Sequence, residues 1–248
     1  MRSDSKSIFL IGDFTLVREW SEILHNHNFL AGCIVNQTEN GKLPSYCKKQ
    51  ATIPKNCYAA FELTILDSGI KENNLLRLDR TLNPKAAIYS TSVTVSTTEQ
   101  AAWIKNPGRL LGISGFPTFA QRPLIELALS IHTSKSVINM AEELFLQLGK
   151  EISVVQDRVG MVMPRILTSL INEAFFAVMD GIATAEDLDA AMKLGANYPR
   201  GPIEWANSIG VQYTVALLDA IHRDTGDPRY RIAPSLRQLA LGKKWWNG

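Results

Sequence analysis

From Pro164 to Met179 the apolar residues Ile166, Leu167, Leu170, Ile171, Ala174, Phe175 and Val178 recur three and four apart, the period of a helix with one buried face. A long amphipathic helix is the first requirement this chain imposes on any fold. Gly181 suits the end of that helix, because it has no side chain to strain there. Thr184 then caps a second helix running to about Leu194, with Asp187 at its third position making a near capping box. Tyr198-Pro199-Arg200-Gly201-Pro202 forces a rigid turn, since proline cannot continue a helix interior. Further helices follow over Pro202 to Ile209 and Tyr213 to Arg223, so the C-terminal third reads as a helical bundle.

The N-terminal part has a different rhythm. Ser7 to Gly12, Ala31 to Val35, Ala60 to Asp67, Ala86 to Tyr89 and Glu151 to Val155 are short apolar runs of the kind a sheet buries on both faces. Glu72 to Leu82 and Ser136 to Leu148 read as helices between them. Strand-like runs stop at Val155, which predicts a parallel-sheet α/β domain over residues 1–156 and an all-helical domain over residues 157–248. Composition excludes several alternatives. With 248 residues, 46% of them apolar and 20% charged, the chain can bury a sizeable core. A net charge of +2 supplies no basic stripe for nucleic acid. No apolar run reaches the roughly 18 residues of a membrane span, and Met1 to Ser7 is polar with no signal core after it, so a soluble cytoplasmic protein is expected. Cys33, Cys47 and Cys57 are odd in number and lack the paired spacing of a zinc site; free thiols and no metal are expected.

Three motifs carry a family likeness: R-I-L-x-x-L-I-N-E-A from Arg165, G-x-A-x-x-E-D-L-D-A-A-M-K-L-G-x-N-Y-P-x-G-P from Gly181, and G-D-P-R-Y-R with P-S-L-R-Q-L further on. Together they closely resemble the C-terminal domain of the 3-hydroxyacyl-CoA dehydrogenase family, a likeness that is good over roughly residues 84 to 241. It implies a Rossmann-like nucleotide-binding domain in front of a helical domain that completes the cleft and forms a homodimer. It also implies NAD as cofactor and an acyl-CoA as ligand, in the NAD-dependent oxidation of 3-hydroxyacyl-CoA to 3-oxoacyl-CoA in fatty-acid metabolism. By the same resemblance Ser92 corresponds to the serine that bonds the substrate's 3-oxygen, with Ser90 in place of an asparagine. Ser114 stands where the family has its general-base histidine, and Glu126 matches the glutamate that orients that histidine. Ser90, Thr91 and Ser92 read equally well as a turn that caps the chain from Thr98 onward.

The cofactor seat departs furthest from the family pattern. A dinucleotide turn uses G-x-G-x-x-G, so that backbone can approach the pyrophosphate and open a helix. This chain has Gly12-Asp13-Phe14-Thr15-Leu16-Val17. Phe14 and Val17 replace the second and third glycines, and Asp13 adds a negative charge beside the phosphate seat. Asn36 stands where the family carries the acid that grips the adenosine ribose, and an amide offers a weaker, single-ended acceptor. Residues 38 to 59 are short and polar where the family has a longer helical segment; Cys47-Lys48-Lys49 there is a solvated loop or a contact for a CoA phosphate. Serine has no base pKa near neutrality, so Ser114 cannot do a histidine's work. None of His25, His27, His132 and His222 stands near in sequence, and on one strand His132 would lie about 20 Å from Glu126 at about 3.3 Å per residue. No G-x-S-x-G elbow suggests a hydrolase instead. Pro164 replaces the asparagine of the substrate-binding form of the helical domain, making this copy resemble one with a packing role. Two classes stay open: a catalytically impaired dimeric subunit that binds or scaffolds, and an active or residual dehydrogenase with an altered site. The Trp245-Trp246 end reads as a docked tail.

Overall fold

The computed structural model describes residues 7–36 and 41–242; the Trp245-Trp246 tail lies outside them. The chain divides into two compact units, residues 1–161 and 162–248. The first holds β1 (Ser7–Gly12), α1 (Phe14–Asn26), β2 (Leu30–Val35), β3 (Cys47–Lys49), β4 (Ala59–Leu63), α2 (Ser68–Thr81), β5 (Ala87–Thr91), α3 (Thr97–Trp103), β6 (Leu110–Ile113), β7 (Leu124–Ala128), α4 (Lys135–Gln147) and β8 (Glu151–Val155). The strands form one sheet in the order β3-β2-β1-β4-β5-β6-β7-β8, parallel except where β7 runs against β6. Helices cover both faces. Phe9, Ile11, Ala60 and Ile88 pack with Leu75 and Leu78 of α2. On the opposite face Trp20 of α1 meets Phe61 at 4.8 Å, and Phe61, Tyr89 and Phe145 of α4 continue an aromatic cluster. Such burial on both sides is why these strands read as unbroken apolar runs.

Local chemistry moves several boundaries from where periodicity puts them. The second helix begins at Ser68, four residues before Glu72, because the Asp67 carboxylate accepts the Ile70 N–H and caps it. The polar stretch 38 to 59 is not all loop. Cys47 to Lys49 pairs with Ala31 to Cys33, leaving Lys48 and Lys49 exposed on a sheet edge. Three residues with two outward lysines give no periodic signal, so the strand is invisible in the sequence.

In the second unit, α5 (Met163–Met179), α6 (Ala185–Gly195), α7 (Pro202–Ile209), α8 (Val211–Thr225) and α9 (Pro234–Gly242) form the expected bundle. Leu167, Ile171 and Phe175 set the buried phase of α5, against a core that includes Leu217, Leu218, Ile221 and Leu236. Ile166, expected in that stripe, is instead 57% exposed. Its step of one from Leu167 carries it about 100° round the helix. Thr184 accepts the Asp187 N–H and donates to that side chain, as its spacing implied. The motif asparagine Asn172 is buried; it donates to the Arg231 carbonyl and accepts the Ala233 N–H, pinning the Asp227-to-Ala233 segment to α5. No helix among the described residues is long and apolar enough to cross a membrane.

Candidate active site

Strand order places the candidate crevice. The chain leaves β1 toward β2 on one side and returns to β4 on the other, so a topological switch point lies between β1 and β4. Ligands of open α/β sheets bind outside the carboxyl ends at such a point. Gly12, Asp13, Phe14 and Asn36 all gather there. Gly12 has φ +148°, and a Cβ on it would run into the backbone of Leu63, so this glycine is required by the packing of β1 on β4. Asp13 turns across the switch point. Its carboxylate accepts the Ile65 N–H at 2.8 Å and the Leu66 N–H at 3.3 Å, both from the chain leaving β4, and the Asn36 amide at 3.1 Å. Burial pushes its carboxyl up to about 6 against the pull of those donors. The Asn36 amide also donates to Thr64, and its carbonyl accepts from Asn74 at 3.4 Å. The Phe14 ring begins α1 and lies flush against Gly41, where any Cβ would fall inside the ring.

A second polar group lies beneath, missed by reasoning from the sequence. Glu62 on β4 and Lys71 on α2 form a fully buried ion pair. The Lys71 ammonium also donates to Ser90 at 3.1 Å and Thr91 at 2.9 Å, and Ser90 donates to the Glu62 carboxylate at 3.2 Å. Desolvation draws the Lys71 ammonium below its usual range, against the opposing pull of the adjacent Glu62 carboxylate. The available signal was Glu62 itself, a carboxylate inside the apolar run Ala59 to Leu66, which needs a buried cation.

The proposed catalytic residues form a third cluster, one strand further on. The Ser92 N–H donates to the Ile113 carbonyl, so Ser92 and Ser114 end neighbouring parallel strands. The Ser92 hydroxyl is buried and accepts from Thr97 and Gln100, each at 3.0 Å. It therefore holds the first turn of α3, whose terminal Thr97 and Thr98 N–H groups are received by Asp157. The cap at this turn is Ser96, which receives the Glu99 N–H. Ser114 and Glu126 pair reciprocally: the Ser114 N–H donates to the Glu126 carbonyl, and the Glu126 N–H donates to the Ser114 hydroxyl, both at 3.0 Å. Glu126 itself is buried. His132 does not continue the strand of Glu126, since β7 ends at Ala128. The chain turns so that Thr133 bonds the Leu110 carbonyl, leaving the histidine at the end of β6 opposite Ser114.

Residues 41–158 match the family model "3-hydroxyacyl-CoA dehydrogenase, NAD binding domain", and residues 160–245 match "3-hydroxyacyl-CoA dehydrogenase, C-terminal domain". The Gly12-to-Val17 turn precedes the first match. A 3-hydroxybutyryl-CoA dehydrogenase of Bradyrhizobium diazoefficiens is 31% identical over 197 residues, 78% of this chain and 67% of that protein. A probable 3-hydroxybutyryl-CoA dehydrogenase of Bacillus subtilis is 35% identical over 179 residues, 69% of this chain and 61% of that protein. The matches thus span about two thirds of these relatives' length. Among solved structures, FadB2 of M. tuberculosis superposes with a TM-score of 0.84 at 20% identity, covering 97% of this chain and 95% of that one, which establishes the shared fold.

Proposed function

The chain belongs to the 3-hydroxyacyl-CoA dehydrogenase family, and from that premise we propose that it is a cytoplasmic, homodimeric binding or structural member whose dinucleotide seat and proton-transfer site have become internal packing. The observation that carries this reading is Asp13. Its carboxylate takes two N–H groups from the far side of the switch point and so ties β1 to the chain after β4. On this reading the crevice does not fit a dinucleotide: Phe14 takes the place of the close-approach glycine and its ring packs against Gly41, the Asn36 carbonyl is engaged, and a second anion beside Asp13 would be repelled. The reacting end supports the same reading. Ser114 offers a hydroxyl already committed to a backbone N–H, where proton transfer needs a group that titrates near neutrality. Acyl-CoA is the ligand that the relatives' names supply.

A melting-temperature screen with NAD, NADP, CoA and 3-hydroxybutyryl-CoA tests this, because a ligand selective for the folded state raises the melting point. A rise with the acyl-CoA alone supports a binding subunit, and no rise with any of them supports a structural one. A rise with submillimolar NAD contradicts both. The competing reading, an active or residual dehydrogenase, draws on the convergence of Ser92, Ser114 and Glu126 at one end of β5, β6 and β7. NADH formation by the unmodified protein would favour it.

A further inference from the structure

Cys33 and Cys47 lie on neighbouring parallel strands, with Cys47 opposite Ala31 and Cys33 opposite Lys49. Residues two apart share a face of a strand, so the two cysteines are diagonal neighbours on one face. Their sulfurs are 2.9 Å apart and buried, with neither in a disulfide. β3 is three residues long and is the edge of the sheet, held on one side only by β2. Around it, Tyr46 stacks on His25 of α1 at 4.2 Å, and the Gln50 N–H donates to the Cys33 carbonyl. The same segment brings Gly41 under the Phe14 ring at the β1–α1 turn.

We propose that Cys33 and Cys47 are a dithiol site for oxidation by hydrogen peroxide, forming a disulfide that staples β3 to the sheet. Cys47 ionises and its thiolate attacks one peroxide oxygen; the O–O bond breaks, the departing hydroxide takes up the proton that Cys47 released and leaves as water, and Cys47 becomes a sulfenic acid. The Cys33 sulfur then attacks the Cys47 sulfur, the S–O bond breaks, and the Cys33 proton leaves with the oxygen as a second water. Two thiols are oxidised by two electrons and one peroxide is reduced to two waters. In the resting dithiol the Cys47 S–H donates to the Cys33 sulfur; once Cys47 ionises, the Cys33 S–H can donate back to the thiolate, and this contact, with burial, raises the Cys33 thiol and lowers Cys47, the sulfur on the edge strand. The cross-link closes a loop between positions 14 apart and holds the segment against α1. Cys57 is an internal control: it packs among Leu75, Leu78 and Leu82 in the core on the α2 side, and burial pushes its thiol up to about 11.

The test treats the folded protein with hydrogen peroxide, removes the excess with catalase, then counts thiols in denaturant and maps peptides by mass. Three thiols should fall to one, with a dithiothreitol-reversible link joining the Cys33 and Cys47 peptides and a higher melting temperature for the linked form. Cys57→Ala should lose the same two thiols, and Cys33→Ser should form no link. Three surviving thiols, a link that includes Cys57, oxidation of Cys47 beyond a disulfide without a link, or a link that leaves the melting temperature unchanged would each overturn the proposal. The map of the unmodified protein stands even if Cys33→Ser fails to fold.

Discussion

Glu19 of α1 reaches across to receive the Thr118 N–H on both carboxylate oxygens, 3.0 Å each, in the loop that follows Ser114. Thr118 sits at φ +72°, an unfavourable angle for a β-branched residue, and this contact holds it there. Desolvation raises the Glu19 carboxyl from 4.5 to about 7. A raised acid binds its proton more tightly folded than unfolded, so its stabilising contribution is complete below about 4.5 and is lost as pH rises through about 7. Glu19→Gln keeps an acceptor for Thr118 and removes the charge. It should stabilise the protein at pH 8 by on the order of 2 kcal/mol, with the gain shrinking toward pH 5, as read by urea unfolding at both pH values. Equal gain at both would refute the assignment. At the reacting end, Ser114→His should yield no NADH from 3-hydroxybutyryl-CoA in a coupled spectrophotometric assay, because a restored base still faces the Asp13–Ile65 tie. Recovered turnover would show that the tie does not exclude the cofactor.

The lock between α2 and β4 is the element on which the N-terminal domain can best be probed. Lys71 is buried, paired with the Glu62 carboxylate and bonded to two hydroxyls. Lys71→Met leaves the Glu62 charge unpaired and should cost about 3–5 kcal/mol, whereas Lys71→Met combined with Glu62→Gln, which removes the charge and keeps an acceptor for Thr64, Asn74 and Ser90, should recover part of that. Chemical denaturation of both variants checks it, and a double variant as weak as the single one would contradict the pairing. Which elements were legible follows from the same physics. Strands such as Phe9 to Ile11 and the helix around Leu167, Ile171 and Phe175 announce themselves because they bury whole apolar faces. β3 has almost nothing to bury, and the reversal from β6 into β7 depends on the Ser114–Glu126 pairing, which no local pattern encodes. The positions of Ser92, Ser114 and Asp13 followed from the resemblance. Their hydrogen bonds did not, because each partner lies on a strand or loop that only the folded sheet brings near.

At the scale of the whole molecule, the helical unit leaves a set of large apolar side chains in water: Ile166 at 57%, Met179 at 45% and Ile182 at 75% exposure on or just beyond α5. Exposed apolar side chains of this kind are available to the proposed two-fold homodimer through residues 160 to 230. Light scattering should give twice 27.5 kDa at micromolar concentration, and Ile166→Glu should return the monomer; a monomeric unmodified protein would refute the interface. Central to the account is the loss of the dinucleotide seat, and calorimetric titration of the unmodified protein with NAD tests it most directly. With the seat lost, no heat of binding is expected at any submillimolar concentration, and no NADH forms when 3-hydroxybutyryl-CoA is added. Saturable binding in the micromolar range, accompanied by NADH at rates ordinary for a dehydrogenase, about 1–10³ per second, would contradict it.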